Sequence, residues 1–111
     1  MTEVSDQFGL DVPLEDASWA CREAVVSLDW PLLESIEPHR LVLKKGVRIA
    51  TGSLSRIEVL LSEAGPGATT VTLNGKFPWG IGRRDERTLR SLMNTVRNAI
   101  EVAARRSSKQ H

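Results

Sequence analysis

Residues 53–77 read SLSRIEVLLSEAGPGATTVTLNGKF, and this stretch decides the fold. Apolar side chains stand at alternate positions in both halves of it: Ile57, Val59, Leu61, Val71, Leu73 and Phe77. Polar and charged residues stand between them. Successive side chains of a strand point to opposite faces, so this alternation predicts two strands with one buried and one exposed face. The GPG sequence at residues 65–67 predicts the turn that joins them.

The segments on either side predict two helices and two further strands. Residues 13–29 carry apolar or small side chains at helical spacing: Leu14, Ala17, Ala20, Cys21, Ala24, Val25 and Leu28. Residues 32–36 and 40–50 alternate as strands do. From Asp85 onward, a longer helical stripe follows: Leu89, Leu92, Met93, Val96, Ile100 and Ala103.

This order of elements predicts an α+β domain. We expect an N-terminal helix, about four antiparallel strands and a long C-terminal helix, with both helices on one face of the sheet. Residues 13–106 form the single domain. Residues 1–12 show no periodicity and are predicted to be a mobile tail, and residues 107–111 a frayed C-terminus.

The composition of the chain excludes several classes of protein. Of its 111 residues, 41% are hydrophobic and 26% charged, as in ordinary globular domains. No apolar run approaches the roughly 18–20 residues that span a bilayer. The first residues are acidic and do not resemble a signal peptide. A single cysteine allows no internal disulfide, which favours a cytoplasmic location.

The sequence contains no pattern typical of a catalytic centre. Cys21 lies in the apolar stripe of the first helix, away from the electropositive, accessible setting that a reactive thiol needs. His39 and His111 lack metal-ligand spacing to any other donor. No phosphate-binding loop or nucleophile elbow is present. These observations predict a protein that is not an enzyme, with no metal and no cofactor.

Charge is distributed unevenly along the chain. Residues 1–37 hold nine acidic residues against Arg22 alone, a net charge of −8. Residues 38–111 hold fourteen basic residues against five acidic ones, a net charge of +9. The basic part could hold an anionic partner. Alternatively, the acidic segment folds against the basic one and neutralises it.

The exposed face of the sheet is the sharpest candidate for a binding site. A short turn at residues 51–53 would place Arg48 opposite Arg56, and pairing of Leu61 with Val71 would place Arg56 opposite Lys76. Arg40 and Lys44 would extend this row. Adjacent cations repel one another, so the row predicts a face that binds an acidic protein or another polyanion. The alternative is that Glu58 and Glu63 interleave with the row, or that the acidic tail covers it.

The long helix offers a second basic surface, formed by Arg87, Arg90 and Arg97 opposite the apolar stripe. A charged outer face is also what any surface helix shows. Neither surface carries the aromatic residues on which RNA bases stack, which disfavours sequence-specific nucleic-acid recognition.

The three tryptophans support two other hypotheses. Trp19, Trp30 and Trp79 could line a site for a small apolar ligand between the first helix and the sheet. Trp19 and Val26 also fall opposite the small-residue stripe of the first helix, where an exposed apolar strip would favour self-association into a homodimer. The alternative is that a loop or the N-terminal segment covers them.

The order of Trp19, LDW at residues 28–30, TVTL at residues 70–73, a Pro/Gly turn and a long C-terminal helix resembles that of small bacterial helix–sheet–helix domain proteins, most of them uncharacterised. The resemblance covers roughly residues 14–104 and implies an α+β fold in a bacterial cytosol. It supplies no functional residues. The sequence therefore predicts a non-catalytic binding module that uses a basic sheet or helix face, with an apolar-ligand carrier or a self-associating structural protein as alternatives.

Overall fold

The computed structural model describes residues 2–29, 32–36, 39–46, 54–77 and 83–110. Within these ranges the chain forms five strands and two helices: β1 (Thr2–Leu10), α1 (Leu14–Leu28), β2 (Leu32–Ile36), β3 (Arg40–Gly46), β4 (Leu54–Gly65), β5 (Ala68–Phe77) and α2 (Arg83–Gln110). The strands form one antiparallel sheet in the order β1-β5-β4-β3-β2.

Both helices lie on one face of the sheet, as predicted. They pack against each other, and both contact β5. Between them and the sheet lies the core, to which α1 contributes small side chains and α2 large ones. Its side chains that are at most 2% exposed are Ala17, Ala20, Cys21, Ala24, Ile57, Val59, Val71, Leu73, Leu89, Met93, Val96 and Ile100. The α+β class is confirmed.

The β4–β5 hairpin has the predicted register. Leu61 pairs with Val71 and Arg56 with Lys76. The turn places Gly67 at a φ of 84°, a left-handed conformation in which a side chain would be strained. Of the predicted core residues, Ile57, Val59, Leu61, Val71 and Leu73 are buried, so the alternation at these positions was sufficient to specify this part of the fold.

The prediction that residues 1–12 form a mobile tail is wrong. Thr2–Leu10 form β1, which pairs with β5 along its whole length, from Thr2 opposite Phe77 to Leu10 opposite Thr69. Val4, Phe8 and Leu10 are buried against α2 and the core. The sheet therefore has a fifth strand, and the segment that was expected to be mobile forms its edge.

The apolar alternation in β1 is hidden by Asp6. This residue occupies the inward position between Val4 and Phe8, where a strand pattern requires an apolar side chain. Its carboxylate accepts a hydrogen bond of 3.2 Å from Nη1 of Arg97 on α2. The partner that makes this charge acceptable lies 91 residues away, where no local pattern could reveal it.

The predicted β3–β4 register is also wrong. Lys44, not Arg48, pairs with Arg56, and Gly46 pairs with Leu54. The predicted pairing across a turn at residues 51–53 is therefore not the one observed, and residues 47–53 lie outside the described residues. The shift is four residues, an even number, so each side chain keeps its predicted face. For this reason alternation alone could not distinguish the two registers.

Helix α2 lies very close to β5 at Gly75. A Cβ atom at this position would lie 2.8 Å from Sδ of Met93 and 2.9 Å from Cδ1 of Leu89. A larger residue would force the side chains of Met93 and Leu89 to shift. The helix itself continues through Gln110. It therefore does not end at residue 107, where the sequence predicted that it would fray.

Candidate binding surface on the open face of the sheet

The sheet face opposite the helices carries a shallow depression of about 140 Å³. We call it the basic sheet face, and its lining residues are Arg40, Val42, Arg56, Glu58, Asn74 and Lys76. They come from the three consecutive strands β3, β4 and β5. Alternation directs them outward because their neighbours in sequence, such as Ile57 and Leu73, face the core.

The backbone register explains why these residues meet. Arg56 on β4 lies directly opposite Lys76 on β5. Two residues further along β4, Glu58 lies between Val42 of β3 and Asn74 of β5. Three of the predicted binding residues, Arg40, Arg56 and Lys76, therefore line one depression. Directly opposed residues in antiparallel strands are close enough for their side chains to interact.

Glu58 partly neutralises this cluster. Its Oε2 accepts a hydrogen bond of 2.8 Å from Nε of Arg40 and lies 2.6 Å from Nη2 of the same residue. Its Oε1 accepts a bond of 3.2 Å from Nδ2 of Asn74. Burial alone would raise the pKa of Glu58, but the hydrogen bonds from Asn74 and Arg40 and the charges of Arg40 and Lys76 together lower it. Glu58 therefore stays ionised and holds Arg40 in place.

Strand β1 adds a second acidic residue at the margin. Nζ of Lys76 lies 3.6 Å from Oε1 of Glu3, and both side chains are more than half exposed. Oγ of Ser5 donates a hydrogen bond of 2.8 Å to Oδ1 of Asn74. The acidic N-terminal segment thus lies beside the basic cluster as a strand and does not lie over it.

Arg56 differs from its neighbours in having no such partner. It is exposed, and among the residues that the structure describes no carboxylate lies within ion-pair distance of it. Lys76 lies opposite it on β5, and Arg40 lines the same depression.

Sequence reasoning missed the part played by Val42. This side chain shares the outer face with Glu58, yet it is only 8% exposed. It supplies an apolar floor beneath the charged groups. A signal was present in the sequence, because Val42 stands between Arg40 and Lys44 at a position where the alternation calls for a polar residue.

Of the other two residues predicted on this face, Lys44 and Arg48, the structure describes the strand position of Lys44 alone. Lys44 lies opposite Arg56 in the β3–β4 register, which extends the row as expected. Arg48 falls in residues 47–53 and lies outside the described residues. Its predicted place opposite Arg56 is taken by Lys44.

The basic row predicted on α2 is only partly present. Arg87 and Arg90 are exposed. Arg97 faces β1, and placing it on the outer face was wrong. Its Nε donates a hydrogen bond of 2.8 Å to Glu101, Nη1 donates one to Asp6, and its Cζ lies 4.8 Å from the centre of the Phe8 ring. The hydrogen bond to Glu101, followed by that to Asp6, raises the pKa of Arg97. Arg97 therefore joins β1 to α2.

Of the predicted tryptophan site, only Trp19 lies in the described residues, because Trp30 and Trp79 fall outside them. Trp19 is half-buried at the contact between the two helices. The side of α1 that faces the sheet carries Ala17, Ala20, Cys21 and Ala24, each at most 1% exposed. The apolar-ligand site remains a prediction.

The described residues show no second chemical centre. Burial raises the pKa of the Cys21 thiol to about 12, so it stays protonated at neutral pH. Among the described residues no group of three His, Cys, Asp or Glu side chains is arranged to hold a metal ion. No helix within these residues is long and apolar enough to cross a membrane.

No protein-family model matches the chain, and no curated protein matches it either. Solved structures do match. A structural genomics target from Mesorhizobium loti has 11% sequence identity and a TM-score of 0.71, with 95% of this chain and 98% of that chain covered. The predicted resemblance to small bacterial helix–sheet–helix proteins is therefore confirmed for the fold.

Two further matches are proteins with stated activities. An HSP90 activator from Plasmodium falciparum has 17% identity and a TM-score of 0.61, with 92% of this chain and 95% of that chain covered. Norcoclaurine synthase from Thalictrum flavum, in complex with a transition-state analogue, has 7% identity and a TM-score of 0.64, with 96% of each chain covered. At these identities the similarity establishes the fold alone.

The exclusion of an enzyme from the sequence is wrong. It depended on the absence of familiar catalytic motifs, and the synthase shows that this fold also serves enzymes. In such a fold, catalytic groups can be brought together from separate strands and helices without a contiguous motif. The absence of a motif in this sequence therefore carries no weight against catalysis.

Proposed function

We propose that this chain is a binding module that holds an acidic segment of a partner protein on the basic sheet face. The observation that carries the proposal is the position of Arg56, which is exposed, has no ion-pair partner among the described residues and shares one depression with Arg40 and Lys76. An incoming carboxylate would relieve the repulsion between Arg56 and Lys76, which lie opposite each other.

The remaining residues of the face favour a protein partner over nucleic acid. Glu58 lies within the depression and stays ionised, so it would repel a continuous phosphate backbone. Val42 offers an apolar contact that suits an aliphatic side chain next to an acidic one. No aromatic side chain lies on this face in the described strands, so bases would have nothing to stack on.

The comparisons are compatible with this function. One matched structure is an HSP90 activator, a protein that acts on another protein. The fold can therefore present a surface for protein recognition. The choice of surface in this chain rests on its own residues.

A fluorescent decaglutamate peptide provides a direct test. The double substitution Arg56→Gln/Lys76→Gln should weaken its binding roughly fivefold, because exposed ion pairs contribute about 0.2–1 kcal/mol each. Raising the salt concentration from about 0.05 to 0.5 M should weaken the wild-type protein more than the variant, since screening acts on the charges that the variant lacks. Fluorescence anisotropy measures both effects.

The matched control is Arg87→Gln/Arg105→Gln, which removes the same charge from exposed positions on α2. It should change peptide affinity less than twofold. Equal losses in the two variants would show that only net charge matters and would refute the assignment of the site. A nucleic-acid duplex of equal charge that outcompetes the peptide would refute the choice of partner.

A further inference from the structure

The outer surface of the two helices carries an apolar groove. It lies between α1 and α2 on the side away from the sheet, has a volume of about 320 Å³ and is lined by Trp19, Val26, Ala99 and Val102, with Glu23 and Arg106 at its margins. This groove is separate from the basic sheet face, since the helices and that face lie on opposite sides of the sheet.

The groove contains the exposed apolar side chains of the described protein. Val26 is 75% exposed and Val102 46%, and these are the large hydrophobic residues that are exposed among those the structure describes. They come from different helices, yet both line the same groove. Their proximity in one concave surface is typical of an interface, because isolated exposed apolar residues scatter over a surface.

The charges of the helices identify what fits this groove. Helix α1 carries three acidic residues and one basic residue, a net charge of −2. Helix α2 carries eight basic and three acidic residues, a net charge of +5. At the groove itself, Glu23 of α1 and Arg106 of α2 are both exposed, so its lining carries a negative charge on the α1 side and a positive charge on the α2 side.

We propose that a second copy of this chain docks on the groove and forms a two-fold symmetric dimer. A two-fold axis parallel to the helices places α1 of each copy over α2 of the other. This arrangement brings the acidic helix onto the basic one twice and buries Val26 and Val102 between them. A partner of uniform charge would be repelled by one side of the groove.

Sedimentation velocity over roughly 1–200 µM tests the proposal, because an interface of this kind should dissociate within that range. The wild-type protein should shift from monomer to dimer as its concentration rises. Val26→Lys should raise the dissociation constant by about tenfold or more, since it buries an ammonium group opposite a basic helix. Val102→Glu places a carboxylate opposite the acidic helix and should act in the same way.

A charge exchange tests the arrangement of the helices. Glu23→Lys and Arg106→Glu should each weaken the dimer, and the double variant should recover most of the loss because it restores both attractive pairs. The control Ser62→Lys adds a charge to the open sheet face and should leave the dissociation constant unchanged. Far-ultraviolet circular dichroism confirms that each variant is folded, which is expected because the substituted positions are exposed.

A chain that stays monomeric throughout the concentration range overturns the proposal. So does a dimer that is unaffected by Val26→Lys and Val102→Glu, because its interface would lie elsewhere. A dimer that both substitutions weaken, but that the double charge exchange fails to restore, overturns the pairing of α1 with α2 of the second copy.

Discussion

The β4–β5 hairpin and strand β1 belong to the same sheet, and β1 pairs with β5 of the hairpin. The sequence nevertheless specifies the positions of these two regions in different ways. The hairpin places apolar residues at the inward positions Ile57, Val59, Leu61, Val71 and Leu73, and its turn is contained within it. Strand β1 instead places Asp6 at an inward position and relies on Arg97 of α2 to neutralise it. Local pattern therefore specifies the hairpin, and a remote contact completes β1.

We expect the largest effect on the free energy of unfolding from removing a core side chain. The same substitution, leucine to alanine, can be made in the hairpin and in β1. Leu73→Ala in β5 removes a side chain that is fully buried in an interior strand of the sheet, and Leu10→Ala in β1 removes one that is 7% exposed in the edge strand. We expect losses of about 4 kcal/mol and about 2 kcal/mol respectively in the free energy of unfolding. Urea denaturation measures both. Equal losses would show that β1 is as central to the core as the hairpin.

A second, smaller effect concerns the contact that completes β1. Arg97→Met should lower the free energy of unfolding by about 1–2 kcal/mol, because it leaves Asp6 half-buried without its partner and removes the contact with Phe8. Adding Asp6→Val should recover part of this loss, since valine restores the apolar alternation of β1.

The control for this pair is Arg105→Met. Arg105 is 74% exposed and lies 3.8 Å from Glu101, so its loss should cost less than about 0.5 kcal/mol. A double-mutant cycle in urea gives the coupling between Asp6 and Arg97. Strictly additive losses would mean that β1 is held by its backbone hydrogen bonds and apolar contacts alone.

The smallest effect concerns Glu58 on the hairpin's outer face. The pKa of Glu58 is lowered in the folded protein, so its ionised form stabilises the fold above the unfolded-state pKa, near the ordinary value of 4.5, and this contribution is lost as the pH falls through the folded-state pKa. Glu58→Gln should therefore flatten the dependence of stability on pH below about pH 5, by less than about 1 kcal/mol. Thermal denaturation between pH 3 and 7 measures it. An unchanged profile would contradict the role assigned to the Arg40 pair.

Much of the fold could be predicted because, in the longest elements, the spacing of apolar residues matches the secondary structure that forms. The stripe from Leu89 to Ala103 follows helical spacing, and the apolar residues Ile57, Val59 and Leu61 in β4 and Val71 and Leu73 in β5 follow strand spacing. The number of strands could not be predicted, since Asp6 breaks the only pattern that β1 has. The β3–β4 register could not be predicted either, because an even shift preserves the faces of every residue.

The candidate site was predicted in part for the same reasons. Arg56 and Lys76 were placed together because a short Gly/Pro turn sets their register. Lys44 took the position predicted for Arg48 because the length of the β3–β4 connection is not encoded in alternation. Arg97 was misplaced because it lies at the border of the apolar stripe, four residues after Met93, where periodicity does not decide between the two faces.

The pairing of β1 with β5 also constrains the order in which the protein can fold. Strand β1 is synthesised before the other strands of the sheet. Its pairing partners in β5 come much later in the sequence: Thr69 lies 59 residues after Leu10, and Phe77 lies 75 residues after Thr2. Its contact with α2 is more distant still. Contacts so far apart in sequence slow folding, because a long loop must close before they form. During synthesis, the inward side chains of β1 therefore stay exposed until β5 and α2 have emerged, and exposed apolar side chains favour aggregation in that interval.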